Sequence, residues 1–175
     1  MPALAPLRVV SSAPDVGDLY TQYSSYVAGL AFRLLGRTHE VDDLVQDVFL
    51  AAVTGVSALI DPLAVRAWLA TLTVRLAGRK LRRRKVASFF AFDDGSGHDV
   101  IAHGASAEQK TLLGQLYEVL ADLNVAERVA WTLHRVEGET LPVVATLCNC
   151  SLATVKRRIA AAERHLEEAL GHEPE

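Results

Sequence analysis

Seven basic residues fall between Arg75 and Lys85 with no acid among them: Arg75, Arg79, Lys80, Arg82, Arg83, Arg84 and Lys85. At helical spacing Arg75, Arg79, Arg82 and Arg83 share one face. A strip of cations along a helix suits the tracking of a phosphate backbone. A solvated helix end whose cations complement the helix dipole accounts for two or three such residues, not for seven. Trp68, upstream of the strip, could stack on an unpaired base. It also repeats at helical spacing with Leu72 and Leu76, which places it with the core.

A second basic group lies near the end of the chain. A short segment, Thr140–Cys148, a tight turn at Asn149–Ser151 and a longer segment capped by Ser151 form a helix-turn-helix pattern. In such a motif the start of the second helix enters the major groove. With Val155 and Ile159 buried, Thr154, Arg157, Ala161 and Arg164 point outward, and Lys156 and Arg158 flank them. Short donors reach base edges, while Lys and Arg suit phosphates. Thr154, Lys156, Arg157 and Arg158 are therefore the candidate DNA contacts. On periodicity alone the pattern also fits any helical hairpin.

A third group is acidic. Glu40, Asp43, Gln46 and Asp47 lie off the apolar stripe of one helix. Such a face is ordinarily only solvated, and it cannot favour DNA. Beside two basic surfaces it points to a protein partner.

Charge and composition agree with a local anionic partner. The chain has 175 residues, 50% hydrophobic and 22% charged, and a net charge of −3. Lys and Arg outnumber Asp and Glu 11 to 7 in residues 1–90, but acids lead 10 to 6 in residues 111–175. A basic cluster in an acidic protein marks one anionic contact surface. No apolar run approaches the roughly 20 residues of a membrane span, and residues 1–10 show no secretory signal. Cys148 and Cys150 are too few for a zinc site and too close for a disulfide framework, so reduced thiols in a cytoplasmic protein are expected. Neither a metal site nor a cofactor is expected, and an enzyme is disfavoured: no His/Cys/carboxylate cluster has metal spacing and no Gly-rich phosphate loop occurs. His98 and His103 read as solvated.

These groups need helices to position them, and the pattern is helical throughout. Helices are expected at about Val16–Leu35, ended by Gly36, at Glu40–Thr54, and at Leu63–Lys85 after the break at Asp61-Pro62. The segment Ala91–Ser106, with Asp93-Asp94-Gly95-Ser96-Gly97, reads as a flexible linker, and Phe89, Phe90 and Phe92 as interhelical packing. Beyond it, Leu113, Leu116 and Leu120 open a second domain. Asn124 with Glu127 suggests a reciprocal cap, Gly138 ends that helix, and Thr140 with Pro142 starts the next. The fold class is all-α: two small helical domains, residues 15–90 and 111–171, joined by a linker at 91–110, the C-terminal one carrying the helix-turn-helix.

Arg33-Leu34-Leu35-Gly36, Val41-Asp42-Asp43-Leu44-Val45-Gln46-Asp47-Val48-Phe49, Ala67-Trp68-Leu69 and Arg82-Arg83-Arg84-Lys85 together resemble the second conserved region of the extracytoplasmic-function (ECF) sigma factors of the sigma-70 superfamily. Thr154-Val155-Lys156, Arg158 and Leu166 resemble the recognition helix of the fourth region. The resemblance covers about Leu19–Phe90 and Leu113–Leu170. It implies a sigma factor that binds core RNA polymerase and directs promoter-specific initiation, with core polymerase, promoter DNA and an anti-sigma factor as partners. By that resemblance Asp43, Gln46 and Asp47 contact the polymerase clamp. The Asp61–Val65 loop and third helix open and read the minus-ten element, and the last helix reads the minus-thirty-five element.

The sequence departs from the family pattern in several places. Arg75 and Arg79 stand where asparagine and aspartate are usual, Ala161 and Glu163 where arginines are frequent, and Val143-Val144 where an acid is common. The departures imply a divergent or activator-dependent promoter. A stand-alone helix-turn-helix regulator would explain residues 111–170 but leaves the acidic face and third-helix cations unused. A sigma-like decoy that occupies a regulator is the remaining alternative.

Overall fold

The structure is a computed structural model that describes residues 15–58, 61, 64–90 and 106–171. Among these residues every regular element is helical. Helix α1, Val16–Leu35, is capped by Asp15, whose carboxylate accepts from Gly17 N, and ends at Gly36 with φ 68°. That left-handed conformation is the one glycine adopts without a Cβ penalty. Helix α2, Val41–Gly55, follows a 3-10 turn at Thr38–Glu40. Helix α3, Val65–Phe90, runs through the whole basic cluster, five residues past the expected end at Lys85. No helix-breaking residue intervenes before Phe90, so the basic strip is held on rigid backbone.

The three helices bury one apolar stripe each, including Leu30 and Leu34 of α1, Leu44 and Val48 of α2, and Leu69 and Ala77 of α3. Full burial of such side chains stabilises the fold by roughly 1.5–3 kcal/mol each. The hydroxyl of fully buried Thr73 donates to Leu69 O, 2.8 Å away, so its burial leaves no unmet polar group.

Helix α4, Ala107–Asp122, begins inside the segment expected as linker, because Ser106 and Gln109 form a reciprocal capping box there. Residues 91–105, with Phe92, His98 and His103, lie outside the described residues, as do the side chains of Phe89 and Phe90. Helix α5, Val125–Trp131, is capped by Asn124, whose Oδ1 accepts from Ala126 N at 2.9 Å. The cap is thus one-sided, not the reciprocal box expected with Glu127. A π turn at Thr132–Val136 widens the end of this helix. Helices α6, Leu141–Leu147, and α7, Leu152–Leu170, complete the chain, and Ser151 Oγ accepts from Thr154 N at 3.2 Å. Thr140 occupies the start of α6 without a side-chain cap bond.

The two domains are packed against each other. Val129, Leu133, Val144, Leu147, Val155 and Ile159 of the second domain belong to the same buried cluster as the core of α1–α3. A smaller cluster, Tyr117, Leu120, Leu123, Ala162 and Leu166, lies between α4 and α7.

Candidate partner and nucleic-acid surfaces

The stripe that buries Val41, Leu44, Val45, Val48, Phe49 and Ala52 leaves the opposite side of α2 in solvent. Asp43, Gln46 and Asp47 are all exposed there, as the sequence implied. Asp43 pairs with Lys80 of α3 at 3.4 Å, yet its side chain stays 73% exposed. A pair so open contributes little to stability, so the carboxylate remains available. Sequence reasoning left out the apolar part of this face. Leu50 and Val53 are 66% and 59% exposed, and Tyr20 of α1 meets Phe49 edge-on at 4.9 Å. The signal was present, since Leu50 and Val53 fall outside the buried stripe. An acidic rim beside exposed apolar side chains suits a protein surface.

Helix α3 divides the seven cations from Arg75 to Lys85 by use, while Arg66 near its start lies over the Tyr26 ring. Lys80 reaches Asp43 and Glu40 O, and Arg84 pairs with Glu40 and donates to Leu35 O at 3.3 Å. Burial holds the Arg84 guanidinium below its usual pKa, and Glu40 offsets part of that cost. Lys85 donates to Asp122 O and Leu123 O at 3.0 and 2.9 Å. The remaining four, Arg75, Arg79, Arg82 and Arg83, are exposed and form no ion pair among the described residues. They are the four that spacing selected. Arg79 and Arg83 stand beside Asp47, whereas Arg75 and Arg82 line a cleft of about 470 Å³ against the second domain. Trp68 is half-buried and packs on the core, as its periodicity indicated.

In the helix-turn-helix, Asn149 takes φ 48° between α6 and α7, and Cys150 N returns to Ala145 O at 3.0 Å. Asn is among the few non-glycine residues that tolerate this conformation. Lys156, Arg157 and Arg164 of α7 are exposed. Two of the residues expected as contacts also make internal bonds. Thr154 is half-buried and its hydroxyl lies 2.9 Å from Ser151 Oγ, so it serves the helix start. Arg158 is half-buried, donates to Cys150 Sγ at 3.4 Å and lines the interdomain cleft. Ala161 is also half-buried, and Ala153 and Ala160 occupy outward positions instead. The outward face is thus Ala153, Lys156, Arg157, Ala160 and Arg164, with Arg157 and Arg164 where expected. Glu163 is held by Arg135. Both cysteines are free, and burial pushes the Cys148 thiol up to about 11.

Together the surfaces define an all-helical protein with an exposed acidic and apolar face on α2 and a cationic α3 in one domain, and a helix-turn-helix in the other. No group of three or more His, Cys, Asp or Glu that could hold a metal occurs among the described residues. None of the described helices is long and apolar enough to cross a membrane.

Residues 19–86 match the Sigma-70 region 2 family and residues 113–166 match Sigma-70, region 4. The chain belongs to the sigma-70 family of transcription initiation factors, in its ECF group. It is 27% identical to the ECF RNA polymerase sigma-E factor of Haemophilus influenzae, over 87% of this chain and 85% of that protein. It is also 27% identical to the ECF RNA polymerase sigma factor SigE of Mycolicibacterium smegmatis, over 91% of this chain but 63% of that protein. The fold matches the sigma factor RpoE solved in complex with the anti-sigma factor NepR from Bartonella quintana, with a TM-score of 0.68 and 22% identity, covering 90% of this chain and 98% of that one.

Proposed function

We propose that this protein acts in the cytoplasm as a promoter-selecting subunit of RNA polymerase, without catalytic activity of its own, and that its surfaces divide the work as follows. Asp43, Gln46 and Asp47, with Leu50 and Val53 beside them, bind core polymerase. Arg75, Arg79, Arg82 and Arg83 follow the phosphates of the strand that melts at the minus-ten element. Lys156 and Arg157, with Arg164 further along α7, approach the minus-thirty-five element. Thr154 and Arg158 act indirectly, by fixing the start of α7 and its turn. An anti-sigma factor is the regulator, because the α2 face combines charge with exposed apolar side chains that a protein would cover.

The observation that carries this reading is the sorting of charge on α3. Of the seven basic residues from Arg75 to Lys85, three are spent on internal contacts and four face outward with no ion pair among the described residues. A structural helix end would have no use for the outward four. A stand-alone regulator would leave both α2 and α3 without a role.

The test is run-off transcription on genomic DNA with purified core polymerase. Discrete transcripts that depend on the added protein support the assignment. Duplex binding without any transcript, at an affinity unaffected by core polymerase, returns the protein to the regulator class.

A further inference from the structure

A cavity of about 520 Å³ is walled by the last turns of α3, the end of α4 and the start of α5. Spaces of this size take small molecules. Four cations line it: Arg37 beyond α1, Arg84 and Lys85 of α3, and Arg128 of α5. Asp122 is the one acid among the described lining residues. Glu40 pairs with Arg84, whereas Nη2 of Arg128 rests on neutral acceptors, the carbonyls of Leu34 and Leu35 at 3.0 Å. Burial, and after it the charges of Arg84 and Arg37, hold the Arg128 guanidinium down at about 10. Burial and Arg37 also lower Arg84, against the pull of Glu40. Like charges gathered in a half-dry space repel one another, and an anion between them removes that cost.

Hydrogen-bond donors are left over in the same wall. Nε of Arg84 and Nε of Arg128 are buried and meet no acceptor among the described residues. Buried donors are ordinarily met, so two beside one cavity call for a cause. Lys85 Nζ gives two of its three hydrogens to Asp122 O and Leu123 O, at 3.0 and 2.9 Å. Each of three cations bordering the space thus keeps an N–H for a further acceptor. The terminal group of a phosphate monoester has three acceptor oxygens and a charge of about −2 at neutral pH. Guanidinium groups match its geometry best. Leu81, Leu123 and Val125 make part of the wall apolar, which suits a carbon-bearing substituent rather than a bare ion. Arg128 is only 3% exposed, beyond the reach of a duplex backbone.

We propose that this cavity binds a small phosphate monoester, its phosphate held by Arg84, Lys85 and Arg128 and its organic part set against Leu81, Leu123 and Val125. None of the outward cations Arg75, Arg79, Arg82 and Arg83 lines the cavity. The site is therefore separate from the surface assigned to promoter DNA, and it does not rest on that assignment.

Isothermal titration calorimetry of the full chain with inorganic phosphate, ribose 5-phosphate and AMP, in chloride buffer at constant ionic strength, tests the site. The esters should bind at one per chain, more tightly than inorganic phosphate, and should raise Tm. Arg84→Gln and Lys85→Gln should each weaken ester binding about tenfold, the loss expected for one charge-assisted bond. Arg128→Lys keeps the charge but removes the Nε donor and the planar fork, and should weaken it by as much. Arg79→Ala, outside the cavity, should lower duplex affinity and leave ester affinity unchanged. Circular dichroism checks that each variant keeps its helicity. If Arg128→Lys does not fold, Lys85→Gln, at an exposed position, carries the comparison. Absence of ester binding at millimolar concentration, an ester affinity unmoved by Lys85→Gln, or displacement of the ester by a short duplex overturns the site.

Discussion

The ring of Tyr117 in α4 lies so close to Gly36 at the end of α1 that a Cβ on the glycine would sit 2.3 Å from Tyr117 Cδ1. The glycine is therefore required twice, once by its φ of 68° and once by the neighbouring domain. Arg128, 3% exposed, lies with its guanidinium 5.9 Å from the centre of the same ring. Burial, with the nearby Arg84 and Arg37 charges, lowers its pKa to about 10, so it still carries its charge at neutral pH. The two carbonyls of Leu34 and Leu35 are what make that buried charge tolerable.

Gly36→Ala should destabilise the protein by about 2–4 kcal/mol, summing left-handed strain and overpacking. That corresponds to a fall of roughly 4–16 °C in Tm for a chain of this size. Tyr117→Ala in the Gly36→Ala background should recover the packing part but not the strain. A double-mutant cycle by thermal melting measures the coupling. Strict additivity would mean that the ring and the glycine do not meet.

Asp43→Ala with Gln46→Ala should abolish co-purification with core polymerase at unchanged helicity. Both side chains are exposed and the Lys80 pair is weak, so stability should move by under about 0.5 kcal/mol. Leu50→Asp should weaken the same complex, because it places a charge in the apolar part of the face. Pull-down with core enzyme and circular dichroism together decide. An unchanged affinity in both variants would remove α2 from the polymerase interface.

Much of the fold is legible before any coordinates, because helix punctuation is local. Gly36 and Ser151 act through their own neighbours, and the structure places each where the pattern does. The α3 strip is legible for the same reason, since spacing alone determines a helical face. The docking of the domains is not. Arg128 reads as one more cation on a helix, and nothing in its neighbourhood says that its acceptors are carbonyls more than ninety residues away. The buried stripe of α7, Val155, Ile159, Ala162 and Leu166, is legible as well. The bonds of Thr154 to Ser151 and of Arg158 to Cys150 are not, because a hydrophobic period does not encode local polar contacts.

Cys148 should resist alkylation. Its thiol is raised to about 11 by burial, with Cys150 adding to the shift and Arg158 opposing it. Relative to a thiol at 9.0, the thiolate fraction at pH 8 falls about a hundredfold, and the iodoacetamide rate should fall with it. The folded-state pKa is raised, so this group's stabilising contribution is complete below pH 9 and is lost as pH rises through 11. Mass spectrometry of partly alkylated protein at pH 8 measures the rate at each cysteine. Labelling of Cys148 as fast as a free thiol would show that the turn between α6 and α7 opens readily.

The last prediction concerns the exposed cations of α3. If Arg79 and Arg82 each neutralise a phosphate of the melted strand, each releases counterions on binding. The logarithm of affinity should then fall with the logarithm of salt by about 0.7–0.9 for each contact. Arg79→Ala and Arg82→Ala should each flatten that slope by roughly one unit in the polymerase-bound complex. The two need not behave alike in the free protein. Arg82 lines the interdomain cleft and Arg79 does not, so Arg79→Ala should cost more duplex affinity before polymerase binds. In the complex both should reduce strand separation more than initial promoter contact, since α3 is assigned to the element that melts. Permanganate reactivity of promoter thymines reads separation, and filter binding across a salt series reads the slope. Two variants that melt promoters as wild type does, with unchanged slopes, would leave the strip a solvated helix surface and move the DNA contacts elsewhere.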